Sequence, residues 1–80
     1  MALVGSIRRR RAAGQRLAAL TDREREVAAA VASGASNGEV ATSLFMSEDT
    51  VKAHVSRLFT KLGVTNRVQI AIVVHDADQS

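Results

Sequence analysis

The 80-residue chain contains no cysteine, proline, tryptophan or tyrosine, and its only aromatic side chains are Phe45 and Phe59. The absence of cysteine excludes a disulfide staple and a thiolate metal site, and it fits a reducing, cytoplasmic setting. With two phenylalanines, any core has to be aliphatic. The 46% of residues that are hydrophobic are enough for one small domain and no more. No apolar run approaches the ~20 residues that a membrane span requires. The opening MALVGSIRRRR places its short apolar part ahead of its charges, the reverse of a secretory leader. There is no glycine-rich phosphate loop. The two histidines, His54 and His75, have no cysteine to complete a ligand set. Ser47 and Thr50 stand near acids but lack a base that would make either hydroxyl a nucleophile. No enzyme, cofactor, metal or small-molecule ligand is therefore expected.

Acids are missing from two stretches. Residues 1–20 carry Arg8, Arg9, Arg10, Arg11 and Arg16 and no acid, so residues 21–80 hold the other six bases against all eight acids. From Thr50 to His75 the charged side chains are Lys52, Arg57, Lys61 and Arg67, again with no acid. A basic strip on a mildly acidic body is what a polyanion-binding face requires, although a solvated helix face has the same composition.

What is present is helix punctuation, and it predicts an all-α fold. Residues 1–19 read as a basic linker or arm, with RLAAL able to form a short turn on the domain, residues 20–77 as the domain, and 78–80 as a tail. A first helix is predicted over 22–33: Thr21 and Glu24 make a capping box, Val27, Ala30 and Val31 an inner stripe, and Gly34 a stop. Ser36 and Glu39 repeat the box for a helix over 37–44 with Val40, Ala41 and Leu44 inward. Phe45 and Met46 are expected to pin the following turn to the core. Ser47 caps a helix over 48–62 whose stripe is Val51, Val55, Leu58 and Leu62, widened by Phe59 and closed by Gly63 and Val64. The last helix, over 66–77, carries two apolar sides, Val68, Ala71 and Ile72 on one and Ile70, Val73 and Val74 on the other. The second stripe is either further core or a dimer surface; in so small a domain Ile70, Val73 and Val74 are read as dimerising.

Two helices of unequal length joined by a short turn, over about 36–55, solve a geometric problem. The first braces across a DNA backbone and the second lies in the major groove. The outward residues of the second helix include Lys52, Ala53, Ser56, Thr60 and Lys61, all small or basic. Small side chains allow close approach, and Lys52 can donate to guanine O6 and N7 or to a phosphate. Ser36 and Asn37 stand at a helix N-terminus, where free N–H groups attract an anion; Ser36 can equally be only a cap. Glu48 and Asp49 balance the dipole of the second helix, repel phosphate, or accept from cytosine N4, the first reading being favoured.

The blocks LTDREREV, SNGEVA and SEDTVKAHVSRLFTKLGVTNRVQ, in this order and spacing, resemble the DNA-binding domain of LuxR/NarL-type (FixJ-like) transcription regulators over about residues 20–77. The resemblance implies a four-helix, helix-turn-helix bundle with a tri-helical core, whose third helix (48–62) reads the major groove of double-stranded DNA. It implies Lys52, Ala53 and Ser56 as base-facing residues. For backbone contact it implies Thr21, Arg23, Ser36, Asn37, Thr50, Arg57 and Lys61. It further implies a homodimer through the last helix, RNA polymerase as an additional partner, and a place behind a receiver domain in a two-component phosphorelay. On that view the chain is a fragment and the arginine run an interdomain linker; an arm gripping phosphates and an artificial leader are the other readings. His54 follows the family motif and is expected to pack. Ala28 stands where the family usually has leucine, so the first helix packs with less volume. Short Ala53 and Ser56 point to modest direct readout, with a larger share for DNA shape and half-site spacing. The rival is a helical protein-interaction module, sigma-region-like or an adaptor, which needs no basic groove-facing helix.

Overall fold

The computed structural model describes residues 2–78, with the side chains of residues 8, 9 and 11–78; Met1 and the expected tail residues Gln79 and Ser80 lie outside it. Among the described residues are five helices and no strand: α1 (Ala2–Ala18), α2 (Asp22–Ala32), α3 (Asn37–Leu44), α4 (Glu48–Leu62) and α5 (Arg67–Asp78). The last four match the expected bounds to within a residue. The stretch read as an arm is instead helical and packs chiefly on α5. Alanine, arginine, leucine and glutamine are strong helix formers. Ala13 is buried, Leu17 one turn on is half-buried, and Leu20 is buried where the chain turns into α2. That spacing gives α1 a narrow apolar edge to dock.

Side-chain hydrogen bonds set the boundaries. Thr21 Oγ1 accepts from the Glu24 N–H at 3.1 Å, and Glu24 Oε1 accepts from the Thr21 N–H at 2.8 Å. Ser36 and Glu39 repeat this at 3.1 and 2.9 Å. Ser47 caps α4 by accepting from the Thr50 N–H at 3.1 Å. At the other end of α4, Gly63 is left-handed (φ 66°), and the Val64 N–H closes back on the Phe59 carbonyl at 3.0 Å, a Schellman cap.

α3 ends differently. Phe45 itself takes the left-handed conformation (φ 57°), and its side chain is 95% exposed. Phe45 therefore does not pin the turn to the core, as expected from its apolarity; only Met46 packs there. The reversal of the backbone at Phe45 aims its ring away from the side on which Val40 and Ala41 are buried.

The core is aliphatic: Ala13, Leu20, Val27, Ala28, Val31, Val40, Ala41, Val51, Val55, Leu58, Leu62, Ile70 and Val73. α2, α3 and α4 pack on one another, and α5 packs chiefly on α1 and α2. This arrangement corrects the assignment of the last helix. Ile70 and Val73 are buried and Val74 is packed against the core, so they are not a dimer surface. With α2 and α1 both resting on α5, its inner face is wider than a single stripe. The side left to solvent carries Val68 (68% exposed) and Ile72 (53%).

Candidate nucleic-acid interface

The burial of Val51, Val55, Leu58 and Leu62 fixes the rotation of α4. Side chains half a turn away must then point outward, and Asp49, Lys52, Ala53, Ser56, Arg57 and Thr60 are all exposed. Lys52 and Arg57 have no ion-pair partner among the described residues. α4 thus presents a ridge of short side chains, with two unpaired cations beside it, over about four turns.

Lys61, Arg23 and Arg67 are instead held by the protein. Lys61 Nζ donates to Glu24 Oε1 at 2.8 Å, joining the end of α4 to the start of α2. Glu24 is buried, and its carboxyl is held at about 2, down from 4.5. The Lys61 hydrogen bond is the first cause, the Thr21 backbone N–H the second, and together they outweigh burial, which pushes the other way. Arg23 donates to Glu26 Oε2 at 2.6 Å and to the Leu44 carbonyl, tying the start of α2 to the end of α3. Arg67 donates from Nη1 to Asn37 Oδ1 at 2.6 Å and from Nη2 to the Ala35 carbonyl at 2.7 Å. These contacts brace α3, and through it the turn into α4.

At the start of α3 the capping box already uses the N–H groups of Ser36 and Glu39, and the Ser36 N–H is the main cause that lowers the Glu39 carboxyl from its usual value. Asn37 and Gly38 carry the remaining N–H groups of the first turn. A Cβ on Gly38 would lie 2.8 Å from Glu48 Oε1, so the missing side chain is what lets the first acid of α4 lie against α3.

The expected base-facing residues, Lys52, Ala53 and Ser56, share the exposed side of α4. Of the expected backbone set, Arg57 is exposed and unpaired, and Thr50 is exposed within hydrogen-bond distance of Ser47 (2.9 Å). Thr21 and Ser36 are exposed caps, and Asn37 is half-buried and oriented by Arg67. Arg23 and Lys61 are engaged with protein acceptors. Three features escaped the sequence reading. The Glu24–Lys61 pair spans 37 residues and has no local sign. The Arg67 clamp had one: a base in the first turn of a helix opposes the dipole and implies a partner elsewhere. The third is His54, half-buried on α4 with Nδ1 enclosed and without a hydrogen-bond partner.

The sequence profile of bacterial regulatory proteins of the luxR family matches residues 18–74. The chain is 53% identical over 53 residues to the uncharacterized transcriptional regulatory protein YhcZ of Bacillus subtilis, covering 66% of this chain and 25% of that protein. It is 49% identical over 59 residues to the CsgBAC operon transcriptional regulatory protein of Escherichia coli (74% and 27%). With the DNA-binding transcriptional activator DevR/DosR of Mycobacterium tuberculosis it shares 39% over 64 residues (80% and 30%). The matched region thus spans a quarter to a third of the length of these relatives. The chain belongs to the luxR family of bacterial regulatory proteins, helix-turn-helix domains that bind DNA and regulate transcription.

Proposed function

We propose that this chain is the sequence-reading element of a larger transcription regulator, with α4 lying in the major groove and α3 bracing it from the phosphate side. The observation that carries the reading is the rotation of α4: Val51 and Val55 are buried while Lys52, Ala53 and Ser56 are exposed. Lys52 donates to guanine acceptors or to a phosphate beside them, and Ala53 and Ser56 let the helix approach the base edges. Arg57 and Thr50 hold the strand along one flank, and the start of α3 meets the other phosphate run with Asn37 and Gly38. With one long side chain at the base edges, groove shape and half-site spacing supply much of the selectivity.

The exposed side of α5 supports a homodimer, with Val68 and Ile72 as its apolar centre beside Ala71 and Ala32. Two copies would read half-sites one DNA turn apart, about 34–36 Å, or a multiple of it. Relatives include a nitrate/nitrite response regulator homolog of Haemophilus influenzae, and the role fits the effector end of a phosphorelay response regulator. Such a protein acts in the cytoplasm, on the chromosome, and performs no catalysis in this domain.

The test is selection of bound sites from random duplexes, followed by titration of a selected duplex. Lys52→Ala is expected to weaken binding about tenfold, and Lys52→Glu further, with unchanged helicity. Equal binding by all three proteins would exclude α4 as the reading helix.

A further inference from the structure

Along α4, Thr50, His54, Arg57 and Lys61 follow one another at steps of four, three and four, which puts them on one flank of the helix. Glu48 and Asp49 are off this flank, and Glu24, the acid that reaches it, is paired with Lys61. A helix about 10–12 Å across fills the ~12 Å major groove, so its outermost ridge meets base edges and its flanks meet the phosphates of the two strands. Three members of the flank are hydroxyl or cationic. His54 is the fourth, and packing alone leaves its polar atoms unexplained.

His54 is half-buried, and the two ends of its ring differ. Nδ1 is enclosed and has no hydrogen-bond partner. Nε2 makes no hydrogen bond among the described residues and is on the side that solvent reaches. A neutral imidazole keeps one proton, and an orphaned buried N–H is rarer in proteins than an under-satisfied acceptor. The proton therefore belongs on Nε2, which makes the outward edge of the ring a donor on the flank that also carries the exposed, unpaired Arg57. Resting on the reading of α4 as the groove helix, we infer that His54 binds a DNA phosphate through Nε2–H, its orientation set by the enclosed half of its ring.

The contact is a single hydrogen bond. Removing it lowers affinity without changing the salt slope, whereas removing Arg57 flattens the slope by about 0.9. The experiment uses the whole chain and a fluorescein-labelled duplex selected by the wild-type protein. His54→Gln restores an N–H near the Nε2 position; His54→Asn offers one near Nδ1, and His54→Leu offers none. His54→Gln is expected to bind within about threefold of wild type, and His54→Asn and His54→Leu about tenfold more weakly, all with wild-type salt slopes. Imidazole ¹⁵N shifts of the free protein are expected to show the Nε2–H tautomer. Wild-type affinity in His54→Leu overturns the inference. So does a loss in His54→Gln equal to that in His54→Leu and tracking a lowered melting temperature, since the role would then be packing. An Nδ1–H tautomer overturns it as well. If Lys52→Ala and Arg57→Ala weaken binding while His54→Leu does not, the inference fails and the reading of α4 stands; if no duplex is selected at all, that reading fails first.

Discussion

Replacing Lys61 by methionine removes the ammonium that faces Glu24 and keeps most of the side-chain volume. Glu24 is 3% exposed, and its carboxyl lies at about 2 rather than 4.5. At about 1.4 kcal/mol per pH unit, that displacement bounds the ionised carboxylate's contribution at roughly 3 kcal/mol. The Thr21 N–H remains after the substitution, and the Lys61 side chain is 38% exposed, so water takes up part of the ammonium's role. The expected loss is about 2 kcal/mol at pH 7, or roughly 10 °C in melting temperature for a chain of this size. A depressed carboxyl stabilises the folded state fully above its unfolded value of 4.5, and the contribution disappears as pH falls through about 2. Without Lys61 the Glu24 carboxyl moves upward, so wild type and Lys61→Met differ most near neutrality and converge as the pH approaches 2. Thermal melts followed by circular dichroism between pH 2 and 7 measure this. Equal midpoints at pH 7, or a difference as large at pH 2 as at pH 7, would refute the reasoning. Titration of the same variant with duplex separates fold from contact: a residue committed to Glu24 leaves the salt slope of the folded protein unchanged, and a slope lowered by about 0.9 assigns Lys61 to phosphate.

Arg67→Ala removes two short hydrogen bonds to Asn37 and Ala35; about 2 kcal/mol of stability is expected to go, and amide exchange at the start of α3 to speed up, as read by hydrogen–deuterium exchange. Gly38→Ala adds helix propensity worth about 0.5–1 kcal/mol, and its Cβ meets only the flexible end of Glu48, so a raised melting temperature is expected and a lowered one would mean that Glu48 cannot move. Phe45→Asn places a residue tolerant of left-handed backbone where an exposed ring contributes no packing; melting is expected to be unchanged or a few degrees higher. Val68→Glu with Ile72→Glu is expected to abolish concentration-dependent association in sedimentation while the circular dichroism spectrum persists; a wild-type chain that stays monomeric both free and on DNA would remove the dimer proposal.

The sequence by itself determined where α2, α3 and α4 begin, where α4 ends, and which way α4 faces. These are local matters. Thr21 with Glu24, Ser36 with Glu39, Ser47 with Thr50, and Gly63 with Val64 each act within a few residues. The spacing of Val51, Val55, Leu58 and Leu62 fixes an inner face without reference to any partner, and so exposes Lys52, Ala53 and Ser56. Tertiary structure decided what depends on neighbours distant in the chain. α5 has apolar residues nearly all round, and only the packing of both α1 and α2 against it shows that Ile70 and Val73 are core while Val68 and Ile72 are surface. The arginine-rich stretch could be an arm or a helix until α5 offered Ala13 and Leu17 somewhere to dock. Lys61 and Arg67 look alike as surface cations in the sequence. Contacts with Glu24, 37 residues away, and with Asn37 and Ala35, 30 and 32 residues away, make them braces between helices, because an ion pair or a clamp requires two groups in one place and only the fold brings them there.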